Sequence, residues 1–156
     1  MGLFDRKHPP RAKIDLRKYP RNETRTGPKD GDTEIVRWRD VKKALVGHPE
    51  YRHHVGLAIP IQGDPVGGLP SKEELGVLDR LEAVISGSIE RDCEAIIVGS
   101  LTSHERRGYI IYTSNPAGTE AKLKELETKS APYPLMRKTS EDPEWNHFLK
   151  YFKSAD

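Results

Sequence analysis

The sequence predicts an α+β protein, with an antiparallel sheet of ferredoxin-like (split βαβ) type, helices on one face and a further helix at the C-terminus. From residue 51 onward the hydrophobic patterns follow the order strand, helix, strand, strand, helix, strand, helix. A nearly continuous apolar run over residues 93–101 is typical of a central strand. A capping signal at Ser71 precedes the longest amphipathic segment. The first six of these elements match the split βαβ order.

The first half of the folded part is predicted from alternation and capping. Residues 33–39 form a candidate first strand or a cap over the core, and residues 41–45 a short helix. Residues 51–61 form a half-buried strand, because alternate positions are apolar. Ser71 and Glu74 are expected to form a reciprocal capping box. The helix that follows is predicted to bury Leu75, Leu78, Leu81, Ile85 and Ile89.

The second half begins with a predicted hairpin. Residues 93–101 and 109–113 are its strands, and residues 102–108 have the composition of a turn. Asn115 is expected to cap a second helix that has Pro116 at its first position. The predicted buried residues of that helix are Ala117, Ala121, Leu123 and Leu126.

A last strand and a last helix complete the prediction. Residues 133–138 form the strand. Asp142 caps the helix and Pro143 suits its first position. Apolar residues recur at helical spacing, so this helix is expected to dock onto the sheet through Trp145, Phe148, Leu149 and Phe152.

The charge distribution divides the chain into two parts. Residues 1–29 contain nine basic and three acidic residues, so this segment carries +6 although the whole chain carries only +2. Residues 1–32 also hold four prolines and few large apolar side chains. Such a segment buries too little surface to offset its ordering entropy. We therefore predict a basic, Pro-rich flexible arm over residues 1–32 and a single α+β domain over residues 33–153.

The composition narrows the classes of protein to consider. The single cysteine, Cys93, excludes an internal disulfide and a multi-thiolate metal site. No apolar run is long enough for a signal peptide or a membrane span. The prediction is a soluble, cytoplasmic protein without a membrane partner and without a cofactor.

Candidate chemistry is concentrated in the predicted turn, where His104, Glu105, Arg106 and Arg107 follow one another. The two guanidinium groups could bind an anion, or the segment could be a solvated hairpin tip. The six histidines are scattered, and the adjacent His53 and His54 point to opposite faces of a strand, so no metal site is predicted. No set of residues converges as a catalytic group would, and a non-enzyme is predicted.

The basic arm is the second candidate interaction region. Its central basic residues could bind a phosphate backbone in a salt-dependent manner, embrace an acidic partner protein, or only aid solubility. The candidate residues of the arm are Arg11, Lys13, Arg17, Lys18 and Arg21.

Four segments resemble a bacterial family of domains of unknown function grouped with the regulator of ribonuclease activity B, a ribonuclease E inhibitor. They are residues 68–74 (GLPSKEE), 95–102 (AIIVGSLT), 107–112 (RGYIIY) and 142–145 (DPEW). The resemblance implies a ferredoxin-like α+β sandwich that regulates another protein by direct contact. This chain differs in having a basic arm and no strongly acidic segment.

The functional prediction is therefore a non-enzymatic protein-binding or regulatory module, in the class of inhibitors of a ribonuclease or a toxin. The alternative is a nucleic-acid-associated protein that uses residues 1–29.

Overall fold

The computed structural model describes residues 8–29, 32–41 and 43–152, which include a six-stranded antiparallel sheet and three α-helices. The strand order across the sheet is β1-β2-β4-β5-β3-β6. The predicted α+β class, antiparallel sheet and C-terminal helix are thus confirmed. The strands are β1 (Arg21–Lys29), β2 (Asp32–Arg39), β3 (His53–Pro60), β4 (Ala95–Thr102), β5 (Arg106–Thr113) and β6 (Met136–Glu141). The helices are α1 (Lys72–Ile89), α2 (Pro116–Glu127) and α3 (Asn146–Tyr151).

Both faces of the sheet carry an apolar cluster. On one face, α1 and α2 pack over alternate residues of β3 and β5, including Leu57 and Ile111. On the other face, α3, residue 41 and residues 44–51 pack over the intervening residues, including Ile110 and Tyr112. The second cluster also contains Val41, Leu45, Tyr51, Trp145, Phe148 and Phe152. Helix α3 has only six residues, so it covers only part of its face.

Helix α1 begins at the predicted Ser71 cap, but Glu74 does not complete the predicted capping box. The Ser71 hydroxyl accepts the N–H of Glu74 at 3.1 Å. The Glu74 carboxylate does not reach back to the cap; it accepts the backbone N–H groups of Gln62 and Gly63 at 2.6 and 2.9 Å and the Tyr133 hydroxyl at 2.9 Å. Because Glu74 is buried, these three donors stabilise its charge better than one N–H at the helix start would.

The helix also buries a second carboxylate, Glu82, beside Leu78, Ile85 and Ile89. Its carboxylate accepts hydrogen bonds from the Arg21 guanidinium at 2.6 Å and the Tyr109 hydroxyl at 2.9 Å. The predicted apolar face of α1 is therefore partly polar, and Leu75 and Leu81 are only half-buried.

Several boundaries differ from the prediction. Strand β5 begins at Arg106, so the turn shrinks to residues 103–105, and β6 begins at Met136 rather than at residue 133. Residues 43–47 form turns rather than a helix. In α2, Ala117 and Ala121 are exposed, and the buried residues are Thr119 and Leu123. Thr119 faces inward because its hydroxyl hydrogen-bonds that of Thr113 on β5, at 2.7 Å.

Part of the predicted arm lies against the sheet. Arg11–Lys13 and Leu16–Lys18 form two 3₁₀ turns. Strand β1 pairs with β2 over residues 21–26 and again at residue 29. Ile14 is buried in the second cluster. Low hydrophobicity does not prevent this arrangement, because strand pairing satisfies backbone groups whatever the side chains are. Residues 1–7 of the predicted arm lie outside the described residues.

The C-terminal helix is held by Asp142 and Trp145. The Asp142 carboxylate accepts the N–H groups of Asn146 and His147, both at 2.9 Å. The helix begins at Asn146 after Trp145, so Asp142 and Pro143 do not occupy the predicted cap and first position, but the Asp142 carboxylate still binds the first two N–H groups of the helix. Trp145 adopts φ +62° at the residue before the helix, which turns its ring onto Tyr112.

Candidate functional site

A groove of about 500 Å³ lies on the part of the sheet that α3 leaves uncovered, and we call it the trough. Its floor consists of residues on β3, β4 and β5, one wall is α3, and the opposite wall is the turn between β4 and β5. The floor contains Gly56, Ala58, Leu101, Gly108 and Ile110; the walls contain Ser103, His104, Glu105, Arg106, His147 and Tyr151.

Strand geometry explains why few side-chain atoms cover the floor of the trough. Side chains alternate between the two faces of a strand, so Leu57 and Tyr109 enter the core while their neighbours face the trough. Gly56 pairs with Ile110, and Ala58 pairs with Gly108. Three of these four residues have at most one side-chain carbon, so the backbone of the sheet is accessible from this side.

Packing within the protein explains one of the two glycines on the floor but not the other. A Cβ on Gly56 would lie 3.2 Å from Cε1 of His54, so this glycine makes room for the His54 ring. A Cβ on Gly108 would have no contact closer than 3.9 Å, and its φ is not positive. A glycine inside a strand lowers stability by about 0.5–1 kcal/mol relative to alanine. Neither packing nor backbone conformation therefore explains Gly108.

Two stacked imidazoles form the inner end of the trough. The rings of His54 and His147 are 3.8 Å apart between centroids and inclined by only 8°. His54 is 7% exposed. Its burial, reinforced by the neighbouring His147 and opposed by the Asp142 carboxylate, lowers the pKa of His54 from 6.5 to about 4. His54 is therefore a neutral imidazole near pH 7, with one donor and one acceptor nitrogen.

This lowered pKa predicts a stability that decreases in mild acid. Between pH 6.5 and about 4 the unfolded chain binds a proton at residue 54 that the folded chain does not bind, so stability falls as the pH is lowered. We expect a loss of about 1 kcal/mol between pH 7 and pH 5, allowing for solvent screening at the open edge of the ring. Urea denaturation of the wild type and of His54→Gln at both pH values measures it.

His48 provides the internal comparison for that experiment, because burial also lowers its pKa. His54→Gln should remove part of the pH dependence and leave the part due to His48. An unchanged difference between pH 7 and pH 5 in His54→Gln would contradict the assignment.

Three of the four turn residues predicted as an interaction site line the trough. His104 Nε2 lies 3.6 Å from a Glu105 carboxylate oxygen, and both side chains are solvent-accessible. Ser103 Oγ accepts the backbone N–H groups of Glu105 and Arg106 at 3.1 and 3.4 Å. This hydroxyl therefore stabilises its own turn and is not paired with His104. The Arg106 side chain is exposed at the mouth of the trough.

Arg107, the fourth turn residue, lies on the other face of the sheet. Adjacent strand residues point in opposite directions, so the structure does not bring the Arg106 and Arg107 guanidinium groups together. Arg107 is 0% exposed and donates to Thr102 Oγ1 and Asp79 Oδ1, both at 2.8 Å. Its Nη1 is 3.5 Å from Glu82. Arg107 is thus part of a buried ionic network under α1.

The candidate residues of the arm are largely paired within the protein. Arg11 is 3.7 Å from Glu50, Arg17 is 3.0 Å from Asp15, and Arg21 is 2.6 Å from Glu82. The two candidate lysines, Lys13 and Lys18, are exposed. Carboxylates of the chain itself thus neutralise three of the five candidate charges.

The trough residues His54, His147, Tyr151, Gly56 and Gly108 were not among the predicted site residues. Gly108 was predicted to lie in the turn of residues 102–108, whereas the structure places it inside β5. His54 could be assigned to the face opposite Leu57 by alternation, but the helix that would meet it there could not be identified from the sequence.

Among the residues that the structure describes, no group of three or more His, Cys, Asp or Glu side chains is arranged to bind a metal ion. None of the helices found in residues 8–29, 32–41 and 43–152 is both long and apolar enough to cross a membrane.

Comparison with known proteins matches residues 30–152 to one family, described as a family of unknown function (DUF695). No curated protein and no solved structure matches the chain. The matched segment includes β2 to β6, the three helices and every residue of the trough, whereas all of β1 precedes it.

Proposed function

The chain belongs to the DUF695 family, whose function is unknown, and we propose that it is a non-enzymatic regulatory module that binds another protein through the trough. The trough and its surroundings carry the proposal. Met136, which pairs with Ala58 beside the floor, is 58% exposed, and Tyr151 on the wall is 52% exposed. Two of the four large hydrophobic side chains that are exposed in the described residues therefore flank one open surface.

The distribution of polar groups in the trough supports binding over catalysis. A nucleophile needs a base within hydrogen-bond reach, but Ser103 is engaged by the backbone of its turn. His104 contacts Glu105, and His54 stacks on His147. These groups are separate pairs that do not converge on one reacting atom.

We further infer that β3 to β6 with α1 and α2 form a ferredoxin-like split βαβ unit. The order β4-β5-β3-β6, with a helix in each of the two crossover connections, supports this inference. The resemblance of residues 68–74, 95–102 and 142–145 to the family grouped with the regulator of ribonuclease activity B supports a cytoplasmic bacterial ribonuclease or toxin as the target class.

A crosslinked pull-down with the full chain tests the proposal. Met136→Ser with Tyr151→Ser should abolish capture of a partner protein, because it removes both exposed apolar side chains beside the trough. Val84→Ser is the matched control, since Val84 is 55% exposed on α1 and faces away from the trough. A partner that both variants retain equally would show that the trough is not the contact surface.

Nuclease treatment of the same extract tests the alternative. If the basic segment binds nucleic acid, recovery should disappear after nuclease treatment and in the variant Lys13→Glu with Lys18→Glu. Arg11, Arg17 and Arg21 are less suitable for this test because each already pairs with a carboxylate of the chain itself.

A further inference from the structure

We propose that the trough binds a short extended segment of the partner polypeptide, with a backbone amide of the segment hydrogen-bonded to His54 and a carboxylate paired with Arg106. This inference rests on the proposed protein-binding function and specifies the chemistry of the partner.

The first argument is the unused hydrogen-bonding capacity of His54. The His54 residue is 7% exposed, and neither ring nitrogen hydrogen-bonds another residue that the structure describes. Neither nitrogen is among the buried unpartnered side-chain atoms of the described residues, so this free hydrogen-bonding capacity faces the open trough. The Cε1–Nε2 edge lies above Gly56, on the floor of the trough. A peptide backbone offers both an N–H and a C=O, which a neutral imidazole can bind through either nitrogen.

The second argument is the floor itself. The fold does not require Gly108, whose missing Cβ leaves free space above a central strand. A glycine within a strand often marks a place where a ligand or another backbone approaches closely. Together with Ala58 and Gly56, it provides a flat surface on which an extended chain can lie near the sheet. Leu101 and Ile110 beside it favour small or apolar side chains on that chain.

The third argument is the charge at the mouth. Arg106 has no ion-pair partner among the residues that the structure describes, since the adjacent Glu105 contacts His104. A carboxylate is the complementary group. Arg106 pairs with Pro60, four residues along β3 from Gly56. Four strand residues span about 13 Å, so the segment would have about four residues between its contacts with His54 and Arg106. Glu34, on the β2 side, disfavours a second acid there.

Peptide titration of the full chain, monitored by amide NMR shifts, tests the inference. The probe is acetyl-Ala-Leu-Ala-Asp-amide, and the comparison peptide carries Asn in place of Asp. We expect millimolar binding that shifts the amide signals of Gly56 and Gly108. The Asn peptide and the Arg106→Gln variant should each bind about threefold to fivefold more weakly, as the loss of an exposed ion pair predicts.

Two glycine variants separate binding from folding. Gly108→Ala adds a methyl group to the floor, and it should preserve or raise the melting temperature while weakening the peptide about tenfold. Gly87→Ala makes the same change on α1, where a Cβ would have nothing within 4 Å. It should raise the melting temperature and leave peptide binding unchanged.

The outcomes distinguish the inference from the function on which it rests. Peptides that leave the signals of Gly56 and Gly108 unshifted, or that bind Gly108→Ala as well as the wild type, overturn the inference. A captured protein partner that depends on Met136 and Tyr151 but not on Gly108 would also overturn it, and the protein-binding function would stand.

Discussion

Replacing Trp145 with alanine is expected to lower the free energy of unfolding by about 3–5 kcal/mol, as truncation of a buried aromatic residue does. The Trp145 side chain is 0% exposed. Its ring lies parallel to that of Tyr112 with centroids 4.0 Å apart, and its indole N–H donates to the backbone oxygen of Tyr51 at 3.0 Å. The substitution would remove the contact that joins α3 to the sheet and to residue 51 at once.

Urea denaturation at pH 7 measures this loss, and Trp145→Phe is the matched variant. Phenylalanine keeps an aromatic ring on Tyr112 but loses the hydrogen bond to Tyr51. It should therefore cost clearly less than alanine. Residue 145 has φ +62° in the wild type, and tryptophan, phenylalanine and alanine all carry a Cβ, so backbone strain at this position should be similar in all three proteins. A melting temperature unaffected by Trp145→Ala would show that α3 contributes no stability through this residue.

The second large effect is expected at Arg107, and its neighbour in sequence provides the control. Arg107→Ala should destabilise the protein by about 3 kcal/mol, because it removes a fully buried guanidinium and leaves the buried Glu82 with only the partly exposed Arg21 as a cationic partner. Arg106→Ala should change stability by less than about 0.5 kcal/mol, because that side chain is exposed. The two variants truncate an arginine to alanine at adjacent positions, so they differ only in the face of the sheet that is affected.

Asp79 provides an independent check of this network. Burial alone would raise the pKa of Asp79, but hydrogen bonds and charge interactions with Arg107 and Arg37 hold it below its ordinary value. In Arg107→Ala the pKa of Asp79 should therefore rise, which carboxyl carbon shifts can follow by NMR. Equal stability of the Arg106→Ala and Arg107→Ala variants would contradict the assignment of the two residues to opposite faces.

The sequence was most informative where the pattern is local. Alternation located β3, the apolar run located β4, and Ser71 and Asn115 each cap a helix as predicted. These features depend on residues within a few positions of one another. Such interactions can be recognised without knowledge of the tertiary structure.

The sequence was least informative where partners are distant. Nothing near Glu82 indicates that its carboxylate binds Arg21 and Tyr109, which are 61 and 27 residues away. Strand β1 was missed because its residues are polar and its partner, β2, supplies hydrogen bonds rather than an apolar surface. The trough depends on the short length of α3 and on the contact between His54 and His147, which are far apart in the sequence.

The placement of Arg106 and Arg107 on opposite faces also has a consequence for how the chain reaches its fold. A slip of one residue in the pairing of β4 with β5 would turn every side chain of β5 to the other face. The guanidinium of Arg106 would then enter the apolar layer, and that of Arg107 would leave its carboxylates for solvent. A β4–β5 pairing shifted by one residue would therefore lose both the packing of the core and the ion pairs of Arg107, which favours the native register.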